Sequence, residues 1–216
     1  MTLERKVTQS TTMLPNIAPL SRASIPTDTV TLARFLLGKV LVREENGAHI
    51  RGRIVETEAY LANDPACHAF RGMTPRNRSL FLDTGHAYVY LCYGTSYLLN
   101  VSSEARGIGS GVLLRALEPL AGIDDMRRSR HKLPLRDLAR GPGRLTTALK
   151  VDRRHDGLDL FAPGPLWIGS DGVTVPVGMS TRIGLTKGAE AQLRYYVPAS
   201  PFVSGPRRLN ARAAPP

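Results

Sequence analysis

Short runs of alternating apolar and polar residues, separated by Pro, Gly and Asn, mark half-buried strands joined by turns. Lys39-Val-Leu-Val-Arg-Glu44 alternates, Asn46-Gly47 supplies a tight turn, and a second alternating run ends near Tyr60, which predicts a β-hairpin. Ala87–Cys92 and Tyr97–Ser102 predict a second hairpin around Tyr93-Gly-Thr-Ser96, and Gly111–Leu117 another strand ending at Glu118-Pro119. Helical signals are fewer. Pro26-Thr-Asp-Thr offers a cap to the apolar run Val30–Leu37, with Gly38 as the stop. Residues 121–131 have helical spacing with a basic face, and Gly141-Pro-Gly opens a short helix reaching Lys150. Trp167-Ile-Gly, Arg182-Ile-Gly-Leu and Arg194-Tyr-Tyr-Val predict short strands among Pro/Gly turns, and residues 61–78, with Pro65, Gly72 and Pro75, a long loop. The expected organisation is one mixed α/β (α+β) domain over residues 23–208. A flexible tail over 1–22 precedes it and a loose basic tail over 209–216 follows.

Charge then narrows the partner. Lys and Arg number 29 against 18 acidic residues, a net charge of +11, which favours nucleic acid or another polyanion. No apolar run reaches the ~18 residues a spanning helix needs, and the N-terminus has no apolar signal core. Cys67 and Cys92 give neither zinc spacing nor a disulfide framework, so a reducing cytoplasm is expected and nothing predicts a metal.

Strict alternation puts Ile54, Glu56, Glu58 and Tyr60 on one strand face and Val55, Thr57 and Ala59 on the other. An acid and an aromatic ring thus face one space. Glu56 and Glu58 would stand about 6.5–7 Å apart along the strand, within the roughly 6.5–9.5 Å of inverting glycosidases. Two arginine-paired strand glutamates fit the same spacing, and both readings stay open at this point. Tyr88 and Tyr90 share a face, with Tyr93 just past them at a hairpin tip. An aromatic there suits a wedge between bases or a ring folded back on its own hairpin. Asn100 and Arg115 interrupt apolar runs. Buried, each needs partners, and Glu58 is an economical one for Arg115. The 61–78 loop concentrates His68, Arg71, Arg76 and Arg78, and Arg140-Gly-Pro-Gly-Arg144 is an ordinary turn or a phosphate cradle. A carbohydrate hydrolase using Glu56 and Glu58, a nucleic-acid enzyme and a non-catalytic nucleic-acid-binding protein all fit these residues.

Five collinear blocks carry a closer likeness: Arg53-Ile-Val-Glu-Thr-Glu-Ala-Tyr60, Thr74-Pro-Arg-Asn-Arg78, Tyr88-Val-Tyr-Leu-Cys-Tyr-Gly94, Leu113-Leu-Arg-Ala-Leu-Glu-Pro119 and Ser200-Pro-Phe-Val-Ser204. They resemble the 3-methyladenine (alkyladenine) DNA glycosylase family. The resemblance implies a curved antiparallel sheet with helices around it, a hairpin that enters DNA, and no cofactor or metal. It implies a monomeric, monofunctional base-excision-repair enzyme acting on double-stranded DNA with damaged purines, of the 3-methyladenine, 7-methylguanine, hypoxanthine and ethenoadenine class. Glu58 would then activate the attacking water, shared with Arg115 and the backbone carbonyl of Ile183. Tyr60, His68 and Tyr90 would wall the base pocket, Tyr93 would intercalate, and Asn100 would disfavour guanine's exocyclic amine. Arg71, Arg76, Arg78 and Arg144 are the candidates for the DNA backbone. Glu56 drops to a structural role. No lysine falls in the blocks, which disfavours an amine-dependent lyase.

Overall fold

Side-chain parity divides the sheet into two faces. The computed structural model describes residues 16–45, 47–128 and 132–210. Nine antiparallel strands run through them: β1 (Ala18–Pro19), β2 (Val40–Glu45), β3 (Ala48–Tyr60), β4 (Ala87–Cys92), β5 (Ser96–Ser102), β6 (Gly111–Ala121), β7 (Leu166–Ser170), β8 (Gly178–Ser180) and β9 (Arg194–Tyr196). Their order is β1-β7-β2-β3-β6-β5-β4. β9 pairs with the far half of β3, beyond the reach of β2, and β8 with β9.

One face carries the main core. Ala87, Val89, Leu99, Val101, Val112, Leu114 and Ala59 share a buried cluster with Leu32 and Ala33 of α1 (Thr29–Phe35), Leu36 at its C-cap, Met126 of α2 (Ile123–Arg127) and Leu145 and Ala148 of α3 (Pro142–Ala148). Asp28 caps α1, accepting from the Thr31 amide at 2.7 Å, and Gly38 at φ +83° turns the chain into β2. The helices therefore gather on one side, and loops cover much of the other. A small cluster of Ile17, Val40 and Val42 fills that second face near β7, and another of Val55, Ala116, Tyr196 and Val203 fills its middle.

Two opposed bulges interrupt the β3–β6 ladder. Ile54 pairs with Leu117 and Glu56 with Ala116, which leaves Val55 extra; Thr57 then pairs with Leu114, which leaves Arg115 extra on β6. Bulges bend a strand and re-aim a side chain. Strict alternation therefore fails at Ile54, which joins the main core, while Val55 lies on the other face with the cluster of Ala116 and Val203.

Other differences from the sequence reading have similar causes. β6 continues past Pro119 to Ala121, because a further bulge at Arg51/Gly52 accommodates the residue that lacks an N–H. Arg182-Ile-Gly-Leu forms no strand, since the Ile183 amide is turned to Glu58 rather than to a ladder. Before the boundary expected at residue 23, Ala18 and Pro19 pair with β7. After β9, Arg207–Asn210 form a 3₁₀ turn bonded to Arg194. The first 15 residues of the N-terminal tail, Asn46 of the hairpin turn, residues 129–131 and residues 211–216 lie outside the described residues.

Candidate active site

Four strands place one row of side chains across the second face: Tyr88 on β4 opposite Asn100 on β5, then Leu113 on β6, then Glu58 on β3. Each step is about 4.8 Å, so the row runs from a ring to a carboxylate across one floor. Tyr90, Leu98, Arg115 and Tyr60 flank it. The 61–78 loop lays His68 and Arg76 over one side, and the Ile183–Leu185 segment closes the other. The result is a pocket of about 580 Å³ lined by Tyr60, His68, Tyr88, Tyr90, Asn100 and Arg115 among others.

Glu58 is fully buried behind the lining of this pocket, held by residues that do line it. It is held by three donors: the Tyr60 hydroxyl at 2.8 Å, the Ile183 amide at 2.8 Å and Arg115 Nη1 at 3.1 Å. Burial, then the neighbouring Glu58 charge, pushes the Tyr60 pKa far above its ordinary value, so Tyr60 stays a donor. Burial works against the Arg115 cation, but Glu58 and Glu56 more than offset it and raise its pKa. At Ile183 the structure shows the amide facing the carboxylate, where the family likeness points to the carbonyl.

The aromatic wall is built as a stack. Tyr88 and Tyr90 stack with centroids 5.2 Å apart, and the His68 ring stands edge-on to Tyr90 at 4.5 Å. His68 Nδ1 lies 3.1 Å from the Tyr88 hydroxyl. Burial against these rings, then the Arg76 charge, lowers the His68 pKa, so the imidazole is neutral at neutral pH. Burial pushes Tyr88 up to about 12. Asn100 donates to the Tyr88 carbonyl at 3.2 Å, which fixes its amide in the floor.

Tyr93 stands at the tip of the β4–β5 hairpin, 95% exposed, with a left-handed backbone at φ 49°. Arg76 reaches over Tyr90 at 5.8 Å and lines the pocket mouth. Arg71 and Arg78 are exposed outside the lining, Arg78 beside a separate hollow with Met73 and Asp156. Arg144 borders a neighbouring hollow of about 540 Å³ that shares Arg115, Pro142 and Ile183 with the pocket, and it pairs with Asp137 at 3.5 Å. The sequence-predicted residues thus converge, apart from Arg71, Arg78 and Arg144, which do not line the pocket.

Sequence reasoning gave no role to Arg182. Its guanidinium sits 4.7 Å over the Tyr60 ring, ion-paired with Asp64 and donating to the Ala59 and Gly188 carbonyls. An arginine next to Ile183 was the available signal, but its partners are remote in sequence. Among the described residues no group of three His, Cys, Asp or Glu could hold a metal ion, and no helix is long and apolar enough to cross a membrane.

Comparison with known proteins decides the family. The model of the family described as methylpurine-DNA glycosylase (MPG) matches residues 23–201. The chain belongs to the methylpurine-DNA glycosylase family. A Mesorhizobium japonicum protein is 62% identical over 89% of this chain and 93% of its own length. A Paraburkholderia phytofirmans protein is 54% identical over 89% and 91%, and one from Koribacter versatilis 50% identical over 91% and 98%. All three have 3-methyladenine DNA glycosylase in their names. As a family member the chain is a DNA glycosylase with DNA as its substrate, which displaces the carbohydrate-hydrolase and non-catalytic readings. The site agrees: Glu56 is fully buried and accepts from Arg115, Arg194 and the Ser204 amide, an arrangement unsuited to a second catalytic acid.

Proposed function

We propose that the chain is a monofunctional DNA glycosylase that takes a damaged purine out of the duplex and hydrolyses its N-glycosidic bond with a water activated by Glu58. The observation that carries this reading is the buried Glu58 carboxylate, oriented by three donors behind a tyrosine-walled pocket. The pocket volume falls in the range of about 300–1,000 Å³ usual for small-molecule sites.

Extruding a nucleotide costs a few kcal/mol and least for a poorly paired lesion. Tyr93 fills the gap left in the stack. Its left-handed backbone costs about 1–2 kcal/mol for a non-glycine residue, and its exposed ring makes that cost hard to explain by folding alone. The extruded base enters between Tyr60, His68 and Tyr90, where cationic alkylated purines gain from the ring faces. Asn100 disfavours guanine's exocyclic amine. As the C1′–N bond breaks, its electron pair leaves with the base and positive charge develops on the sugar. Glu58 stabilises that charge and takes the proton of the water whose oxygen bonds to C1′.

An abasic site in an intact strand is the product. Among the described residues no lysine lines the pocket, which favours water over an amine nucleophile. The lesions are the 3-methyladenine, 7-methylguanine, hypoxanthine and ethenoadenine class, and the enzyme works as a cytoplasmic monomer without a cofactor. Arg71, Arg76, Arg78 and Arg144 meet the phosphates. Incubation with a methylated or hypoxanthine-containing duplex tests the reading: free base is expected, with the strand intact until alkali is added. Strand cleavage without alkali, or a borohydride-trapped adduct, would show a lyase instead.

A further inference from the structure

Arg194 is fully buried and takes no part in the chemistry above. All five of its N–H donors are satisfied. Nε donates to Glu56 Oε1 at 2.8 Å, and Nη1 to Ser180 Oγ at 2.8 Å and the Leu209 carbonyl at 3.1 Å. Nη2 donates to the Ser204 carbonyl at 3.0 Å and to Asn210 Oδ1 at 2.7 Å. A guanidinium presents its donors in a rigid planar fork, so these partners over-determine its orientation. Three of the five acceptors belong to Ser204, Leu209 and Asn210, beyond residue 201 where the family match ends.

Glu56 carries that constraint into the site. Its Oε1 also accepts from Arg115 Nε at 2.9 Å, and its Oε2 from the Ser204 amide at 2.6 Å. Arg115 turns Nη1 to Glu58 at 3.1 Å and Nη2 to Ser204 Oγ at 3.4 Å. Two carboxylates and two guanidiniums thus form one buried, charge-balanced cluster. Burial works against the Glu56 charge, and Arg115 and Arg194 more than offset it, leaving its pKa below the ordinary value. Buried ion pairs contribute little net stability but are costly to unbalance, because the remaining charge stays buried.

We infer that the C-terminal segment from Ser204 to Asn210, acting through Arg194 and Glu56, sets the position and charge balance of Arg115 at Glu58. Glu56, Arg194 and Asn210 are then positioning residues, and the inference rests on the reading of Glu58 as the water-activating group. The groups facing Glu58 are Arg115 from β6, Tyr60 from its own strand and the Ile183 amide, with Arg182 behind Tyr60.

Single-turnover base release from a methylated or hypoxanthine-containing duplex tests this. A chain ended after Asn210 keeps every acceptor of Arg194 and releases base at the full-length rate. Ending the chain after Pro206, or the substitution Asn210→Ala, slows release by about 10- to 100-fold through misplacement of Arg115, while affinity for the lesion duplex holds. Asn210→Gln, which retains a neutral acceptor and donor, restores most of the rate. Glu56→Gln slows release while affinity for the lesion duplex holds, a split that a general loss of fold does not produce. If the chain ended after Pro206 fails to fold, the Asn210 pair and the rate-against-affinity split of Glu56→Gln decide. Unchanged release in Asn210→Ala or in Glu56→Gln overturns the inference. Glu58→Gln run alongside separates the failures: if release survives it, the reading of Glu58 itself is wrong.

Discussion

Tyr60 holds three relations at once: its hydroxyl donates to Glu58, one ring face lies under Arg182, and it lines the pocket. Because burial and Glu58 raise its pKa, the hydroxyl remains a donor across the working pH range. Tyr60→Phe removes one hydrogen bond to a carboxylate, worth about 1.5–3 kcal/mol for a charged acceptor, and leaves the stacking ring. Release is expected to slow by about 10- to 100-fold with lesion affinity retained. Rate and affinity measured on the same variant check the split; lost affinity with an unchanged rate would contradict it. At this scale the sequence was informative where a polar residue broke an apolar run. Arg115 and Asn100 stand out that way, and both are buried in the site. Arg182 and Arg194 do not stand out, because their partners (Asp64, Glu56, Asn210) are distant along the chain and only folding brings them together.

Among the elements, strands were legible from alternation because a half-buried sheet imposes period two on each strand. The bulges were not, since an extra residue leaves no local mark in the sequence. Val55 and Arg115 are the extra residues in the β3–β6 ladder, and the second lies in the site, facing both carboxylates. The β4–β5 hairpin was read with nearly its observed limits, and its tip is the element most open to test. Tyr93→Ala should cost lesion binding about 1–3 kcal/mol, the value of one stacked base, and leave undamaged duplex binding close to wild type. Fluorescence anisotropy on matched duplexes measures both, and equal losses would remove the wedge from the account.

For the molecule as a whole, the net charge of +11, Arg76 at the pocket mouth and the exposed Arg71 and Arg78 fit a substrate that is a polyanion. General DNA binding is then expected to fall steeply with salt, and each phosphate contact removed lowers the slope of log K against log salt by about 0.9. Arg78→Ala should show that reduction without changing the rate of base release at saturation. An unchanged slope would exclude Arg78 from the DNA footprint. Mixed α/β class, the longer strands and the cluster of aromatics were readable in the sequence, whereas the short strands β1 and β8 were not and Arg182-Ile-Gly-Leu forms none. The division of the sheet into a helix-covered face and a pocket face was not, because which parity is core depends on where the helices return.

The central claim is that Glu58 supplies the chemistry while the rest of the pocket supplies recognition. Single-turnover release by Glu58→Gln on a methylated or hypoxanthine-containing duplex tests it most directly, with binding of the same duplex measured in parallel. Abolished release with retained lesion binding is the predicted result; release at the wild-type rate would contradict it.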